Sequence, residues 1–176
     1  MANRFKQADI SALSGRTIFF DANVVIYLFW LVFSPENEKS YSSILKSLLL
    51  HKNQLAVDTG VLSEVINRIL RYEWHLRAKK NSNFKVFRNT CDGMQAQKDV
   101  FDIIRNRILT SFKVIDTQRT SEDIKNMLVV DTLDFNDKII YDICKTYNLV
   151  LLTHDADFSK SDIDILSANP KLVKNP

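Results

Sequence analysis

Four acidic residues each lie where an apolar strand ends or a helix begins. They are Asp21, Glu64, Asp137 and Asp155. Asp21 follows the apolar run 18–20, and Asp155 follows the run 149–152. Mg²⁺ and Mn²⁺ prefer oxygen ligands, and proteins hold such cations with a few carboxylates together with water and substrate phosphate. If the fold brings these four side chains together, they would form a carboxylate site for a hard divalent cation.

The chemistry expected of such a site is hydrolysis of a phosphodiester bond. A cation held by carboxylates lowers the pKa of a bound water, orients that water for in-line attack and neutralises charge that builds on the phosphate. The sequence has no His-x₃-His pair and no closely spaced cysteine pair, so zinc and softer metals are not indicated. The two cysteines, Cys91 and Cys144, form no disulfide framework, which favours a reducing cytoplasm.

Short apolar runs alternate with helical patterns along the chain. The runs 18–20, 55–57, 112–115 and 149–152 are typical of buried strands. Helices are predicted over about 23–33, 36–51, a segment after residue 60, and 136–147. This alternation predicts an α/β fold, with a mostly parallel sheet flanked by helices. Ligands of such sheets bind at the carboxyl ends of the strands, where the acidic residues are expected to gather.

Length and composition favour one domain over residues 1–176. The chain has three glycines and three prolines, and no low-complexity linker divides it. The longest uncharged apolar run, residues 24–33, is about half of the roughly 20 residues needed to cross a bilayer. No signal-peptide pattern opens the sequence. We therefore expect a cytoplasmic protein without a membrane partner.

Positive charge is concentrated in the middle of the chain. Residues 65–113 contain eleven Lys and Arg against four Asp and Glu, whereas residues 114–176 contain seven against eleven. A basic surface beside a carboxylate cluster suits a polyanionic substrate. The candidate substrate-binding residues are Arg68, Arg71, Lys79 and Lys80. The alternative is that these side chains form the solvated faces of long helices, and charge alone does not decide between the two.

Four short motifs occur in a fixed order between about residues 16 and 160. They are Phe19-Phe-Asp21-Ala-Asn23, Val61-Leu-Ser-Glu64, Asn136-Asp137-Lys-Ile-Ile and Leu152-Thr153-His-Asp155-Ala-Asp157-Phe158. With these motifs the chain resembles the PIN-domain ribonucleases, a family that includes the VapC-type toxins of toxin–antitoxin pairs. The resemblance implies a Mg²⁺- or Mn²⁺-dependent endoribonuclease on a Rossmann-like sheet, acting on RNA.

The resemblance also implies a role for each matching residue. Asp21, Asp137 and Asp155 look like the metal-binding core, with Glu64 as a further ligand, direct or through water. Asn23 and Thr153 occupy positions where the family keeps small polar side chains that orient the carboxylates or the attacking water. Asp157 would ligate a second cation or cap the following turn. Asp134 competes with Asp137 for one ligand role, since either Asp134 or Asn136 can cap the helix that contains Asp137.

Residues 73–112 form a longer connection than VapC-type toxins usually have. The segment is basic, is expected to be helical and contains Trp74, His75, Phe84 and Phe87. It would clamp RNA through phosphate contacts and base stacking, or serve as a dimerisation arm. A small antitoxin protein and a homodimer are partners that the resemblance alone implies.

Two other functions are compatible with parts of the pattern. Haloacid-dehalogenase-like phosphohydrolases also place Asp after a first apolar strand, but they need a second Asp where this chain has Asn23. A non-catalytic PIN-like module that binds RNA or a protein partner is the other alternative. An intact acidic quartet argues against that module, because mutual repulsion is costly without a cation.

Overall fold

The computed structural model describes residues 2–30, 34–77 and 83–173, and six strands in these ranges form one sheet. The strands are β1 (Arg4–Phe5), β2 (Thr17–Phe20), β3 (Gln54–Val57), β4 (Phe112–Val114), β5 (Val150–Leu152) and β6 (Ile165–Leu166). Their order across the sheet is β1-β6-β5-β2-β3-β4, and all neighbours are parallel. The predicted α/β fold class is therefore confirmed.

Helices connect the strands and cover the sheet. The α-helices are α1 (Ala22–Phe29), α2 (Pro35–Leu50), α3 (Thr59–Arg77), α4 (Phe84–Phe87), α5 (Cys91–Ile103), α6 (Ser121–Met127), α7 (Phe135–Thr146) and α8 (Pro170–Val173). Two 3₁₀ helices lie at Gln7–Leu13 and Ala156–Lys160, and a π-helical turn at Ile104–Ile108 extends α5. No helix within the described ranges is both long and apolar enough to cross a membrane.

The central strands are buried on both faces, as their uninterrupted apolar runs predict. Residues 18–20 of β2 and 150–152 of β5 are fully buried. The register pairs Phe20 with Leu152, so the residues that follow these two strands emerge side by side. Helices α1 and α3 begin directly after β2 and β3, and α7 runs back toward β5. The carboxyl ends of β2, β3 and β5 therefore share one edge of the sheet with the amino termini of these three helices.

The predicted elements differ from the structure in several places. The edge strand β1 and its neighbour β6 were not predicted, since two residues are too few to show an apolar period. The predicted helix 23–33 ends at Phe29, where Trp30 leaves the helical conformation with φ −132° and ψ 84°. An all-apolar segment carries no polar stop signal, and residues 31–33 lie outside the described ranges.

The described part of the predicted insertion 73–112 is largely helical. It contains the end of α3, all of α4 and α5, and the π-helical turn that leads into β4. Buried Ala96 and Val100 of α5 belong to the same hydrophobic core as Val65 and Ile69 of α3. The segment therefore extends the main core at one end of the sheet.

Gly93 allows α5 to pack against the end of α4, and its replacement tests that packing. A Cβ at this position would stand 2.0 Å from the carbonyl oxygen of Phe87. We expect Gly93→Ala to lower the free energy of unfolding by about 1–3 kcal/mol, because backbone must move to admit the methyl group. At an unobstructed helix position the same change would raise stability by about 1 kcal/mol.

Urea unfolding measures the effect, with Met94→Ala at the exposed neighbouring position as the control. A more stable Gly93→Ala protein would contradict the packing of α5 on α4.

Candidate functional site

Asp21 and Thr153 form the centre of the site because their strands are adjacent. Asp21 follows β2 and donates its backbone N–H to Leu152 O at 3.0 Å, and Thr153 follows β5. The Thr153 hydroxyl donates a hydrogen bond to Asp21 Oδ2 at 2.7 Å. Asp21 is 4% exposed and Thr153 is fully buried. The parallel register thus buries a carboxylate at the sheet edge and supplies it with a hydroxyl donor.

Asn23 links the Asp21 carboxylate to helix α3. Its Nδ2 donates to Asp21 Oδ2 at 3.3 Å, and its Oδ1 accepts a hydrogen bond from Arg68 at 2.7 Å. The same Arg68 nitrogen lies 3.4 Å from Glu64 Oε1, one helical turn earlier on α3. Arg68, a candidate substrate-binding residue, therefore also holds Asn23 and Glu64 in place, while its side chain remains 40% exposed.

Asp155 reaches the same centre through the Thr153 hydroxyl. Its backbone N–H donates to Thr153 Oγ1 at 2.9 Å, so one hydroxyl contacts both the Asp21 carboxylate and the Asp155 backbone. The Asp155 side chain is half-buried and accepts a hydrogen bond from the Asp157 N–H at 3.0 Å. This bond caps the 3₁₀ helix Ala156–Lys160. Asp157 itself is exposed.

Asp134 and Asp137 form a reciprocal capping box at the start of α7. Asp134 accepts from the Asp137 N–H at 2.9 Å, and Asp137 Oδ2 accepts from the Asp134 N–H at 3.3 Å. Asp134 is exposed, whereas Asp137 is half-buried and its charge interacts with those of Asp21 and Asp155. Asp134 thus occupies the capping position, whereas the half-buried Asp137 is close enough to Asp21 and Asp155 for their charges to interact.

Burial and mutual repulsion raise the pKa values of the two most central carboxyls. Burial, together with the charge of Glu64, raises the pKa of Asp21 to about 6 against the opposing effect of the hydrogen bonds from Thr153 and Asn23. Burial also raises the pKa of Asp137 to about 7, with added repulsion from Asp134, Asp21 and Asp155. Among the described residues, no Lys or Arg forms an ion pair with Asp21, Asp137 or Asp155. A cation would relieve this repulsion.

The four predicted carboxylates are gathered at one edge of the sheet but do not converge on a single point. Within residues 2–30, 34–77 and 83–173, no three side chains of His, Cys, Asp or Glu lie close enough together to hold a metal ion. Asp137 and Asp155 instead accept hydrogen bonds from backbone N–H groups at the starts of their own helices. The donor set still fits Mg²⁺ or Mn²⁺, because it consists of carboxylate oxygens around a buried, uncompensated acid.

Tyr41 is a site residue that sequence reasoning missed. Its hydroxyl is fully buried and lies 3.1 Å from Thr153 O and 3.0 Å from His154 Nδ1. Helix α2 is thereby fixed to the segment that carries Thr153 and Asp155. The helical spacing of α2 marks Tyr41 only as a core residue, so no signal in the sequence distinguishes this contact.

A second pair of carboxylates at the same edge has a capping role. Asp58 follows β3 and accepts the Val61 N–H at 2.6 Å, and Asp116 follows β4 and accepts from the Thr59 hydroxyl at 3.2 Å. Burial raises the pKa of Asp58 as well, with further repulsion from Asp116. Both side chains hold the first turn of α3. Later turns of the same helix carry Glu64 and Arg68.

The basic middle segment places cations against an aromatic side chain. The Arg71 guanidinium lies 4.9 Å from the centre of the Phe84 ring, and that of Arg88 lies 6.0 Å from it. The Trp74 ring lies 5.7 Å from Phe84. Lys79 and Lys80, the other candidate substrate-binding residues, lie outside the described ranges.

Comparison with known proteins identifies a family and a fold. The family model described as PIN domain matches residues 18–163. No curated protein matches the chain. A chain in the crystal structure of VapBC2 from Rickettsia felis, bound to a promoter DNA fragment, is similar with a TM-score of 0.54 and 15% identity, over 86% of this chain and 98% of that one. FitAcB from Neisseria gonorrhoeae is similar with a TM-score of 0.55 and 15% identity, over 85% and 96%. At this identity the two structures support the fold alone.

The burial of Asp21 predicts an unusual pH dependence of stability. Because its pKa rises from 3.8 in the unfolded chain to about 6, the folded state binds the proton more tightly. Stability is therefore highest below pH 4 for this group and falls as the pH rises toward 6. We expect Asp21→Asn to raise the free energy of unfolding by about 1–3 kcal/mol at pH 7.5, because the amide carries no charge.

Urea unfolding in the presence of a chelator, at pH 4 and pH 7.5, measures this difference. The gain should disappear at pH 4, and Asp99→Asn on the exposed face of α5 should show no such gain. A loss of stability at pH 7.5 would mean that the Asp21 charge is already compensated in the fold.

Proposed function

Because the chain belongs to the PIN-domain family, we propose that it is an endoribonuclease that hydrolyses RNA phosphodiester bonds with Mg²⁺ or Mn²⁺. The resemblance carried by the four sequence motifs is confirmed by the family match over residues 18–163. Members of this family are generally nucleases, and nuclease activity is the coarser part of the proposal. The observation that carries the finer part is the buried Asp21 carboxylate, which has the acidic residues Glu64 and Asp137 nearby and no described cationic partner.

The proposed ligands are the carboxylates that crowd one another. Asp21, Asp137 and Asp155 would hold the cation, and Glu64 would act directly or through a water. Asp157, which is exposed beside Asp155, is the candidate for a second cation. A bound cation would lower the pKa of a water and neutralise charge on the phosphate during in-line attack.

The other residues of the site position this ligand set. Thr153 donates to Asp21 Oδ2 and accepts from the Asp155 N–H, so it fixes the spacing between these two ligands. Asn23 donates to the same Asp21 oxygen, Oδ2, and Arg68 keeps Asn23 from turning away. Attack by water instead of the ribose 2′-hydroxyl would leave a 5′-phosphate and a 3′-hydroxyl.

RNA would approach over the basic middle of the chain. The partly exposed Arg68 lies beside the carboxylates, and Arg71 lies three residues further along α3, stacked on Phe84. Such cation and aromatic pairs can contact phosphates and unstacked bases. Lys79 and Lys80 add positive charge further along the sequence. We propose Arg68, Arg71, Lys79 and Lys80 as substrate-binding residues.

The biological partner that we propose is a small antitoxin protein. The resemblance to VapC-type toxins suggests it, and one structural neighbour is VapBC2 bound to DNA from its promoter. A homodimer and a cytoplasmic location are proposed on the same resemblance and on the cysteine usage. Together these would make the chain the toxin of a toxin–antitoxin pair.

A non-catalytic PIN-like module is the second candidate. The observation in its favour is that no three potential ligands in the described ranges lie within reach of one cation. Such a module would bind RNA or a protein partner equally well with and without chelator. The phosphohydrolase alternative gains no support, since the Asn23 amide is hydrogen-bonded to Asp21 and Arg68.

Cleavage of a mixed RNA pool tests the proposal. We expect wild type to cut RNA with Mn²⁺ or Mg²⁺ and to stop in excess chelator. Asp21→Asn and Asp155→Asn should each lower the rate by more than the roughly 10–100-fold that loss of an outer-shell partner costs, because each removes a ligand charge from the site. Sequencing of the cut ends should find 5′-phosphates and 3′-hydroxyls.

Two further variants serve as controls. Asp134→Ala should lower stability through loss of the α7 cap but should retain the metal requirement, and Asp99→Asn should cut at the wild-type rate. Cleavage that continues in chelator and in Asp21→Asn would exclude the metal mechanism, whereas RNA binding without any cleavage would favour the non-catalytic module.

A further inference from the structure

An open cleft adjoins the carboxylate site. It has a volume of about 390 Å³ and is lined by Asn23, Tyr27, His154, Asp155, Ala156, Asn169 and Lys171. This volume falls at the lower end of the range of about 300–1,000 Å³ that is typical of small-molecule sites. Asn23 and Asp155 belong to both the cleft and the proposed metal site. A group bound in the cleft would therefore stand next to a phosphate bound at the carboxylates.

Two aromatic rings form one wall of the cleft. The rings of Tyr27 and His154 are 5.8 Å apart and nearly perpendicular, at 89°. Buried Tyr41 supports both from behind, stacked on Tyr27 at 5.9 Å and hydrogen-bonded to His154 Nδ1. Because Tyr41 is fully buried, these rings are held in place before any ligand arrives.

Asn169 also lines the cleft. It is 8% exposed, its Nδ2 donates to His154 O at 2.7 Å, and its Oδ1 accepts the Lys171 N–H at 3.0 Å. Asn169 therefore links the segment after β5 to the start of α8. The Lys171 side chain is exposed at the rim and forms no ion pair with a described acidic residue.

We propose that this cleft binds one unpaired nucleotide of the RNA beside the scissile phosphate, with the base against Tyr27 and His154 and a phosphate near Lys171. The inference rests on the proposed function and assigns a substrate subsite to it. Aromatic side chains bind bases through stacking, and a base must leave its duplex to be reached in this way. The cleft thus selects single-stranded RNA at the cut site.

Removal of the base and removal of the ring should have the same effect. The substrate is a single-stranded oligoribonucleotide with a mapped cut site, and its analogues carry an abasic ribose on either side of the cut. With wild type, we expect the abasic change at the subsite to lower kcat/KM about 10-fold. Tyr27→Leu should lower it by about the same factor on the intact RNA, and the two changes together should cost little more than either alone.

Matched controls separate the subsite from the fold. Tyr147→Leu, at an exposed tyrosine at the end of α7, should leave cleavage and its response to the abasic ribose unchanged. Lys171→Gln cannot disturb the core, and it should reduce the slope of log binding constant against log salt by about 0.7, the value for one phosphate contact on a single strand. Additive effects of ring and base removal, or an unchanged salt slope, would overturn the assignment.

A binding assay makes the result independent of catalysis. In chelator, Asp21→Asn and Asp21→Asn/Tyr27→Leu are titrated with a short oligouridylate and with the abasic ribose-phosphate chain of equal length. The base preference is the ratio of the affinity for oligouridylate to the affinity for the abasic chain. Its loss in the double variant supports the subsite even if wild type cuts no RNA. In that case the proposed function alone fails. An equal preference in both proteins overturns the subsite even if wild type is an active nuclease.

Discussion

The burial of the Asp21 carboxylate at the end of a central strand is the constraint on which the rest of the site depends. A buried charge is costly unless it is hydrogen-bonded and paired, and Asp21 has the hydrogen bonds from Thr153 and Asn23 but no cationic partner among the residues that the structure describes. The neighbouring acids add to the cost instead of reducing it. A divalent cation bound here would offset burial and repulsion together, which explains why one edge of the sheet can tolerate so many acids.

The parallel sheet makes this arrangement possible with ordinary local structure. Adjacent strands β2 and β5 deliver Asp21 and Thr153 to neighbouring positions, and the amino termini of α1, α3 and α7 point to the same edge. The positive ends of helix dipoles favour nearby carboxylates by about 0.3–1 kcal/mol each, which is less than full burial of a charge costs. The dipoles therefore moderate the repulsion without removing it. Tyr41 then fixes the loop after β5 and supports the adjoining aromatic cleft.

The sequence was informative where one residue type determines the local structure. The apolar runs of β2, β3 and β5 predicted the buried strands, and the acids that follow them predicted the functional edge. Contacts between distant segments could not be predicted: Tyr41 has the spacing of a core residue, and nothing in its sequence neighbourhood indicates Thr153 or His154. The capping roles of Asp134 and Asp58 depend on where α7 and α3 begin, which patterns determine only within a few residues. The two-residue strands β1 and β6 form by pairing with neighbouring strands, and two residues are too few to show an apolar period.

The central claim is that acids from distant segments share one cation. Anomalous diffraction from crystals of the protein soaked in Mn²⁺ tests it most directly. The account predicts an anomalous peak in contact with the Asp21 carboxylate, with Asp137 and Asp155 turned from their capping hydrogen bonds toward the same ion. Manganese peaks elsewhere on the protein, with the Asp21 carboxylate bonded only to Thr153 and Asn23, would contradict the claim.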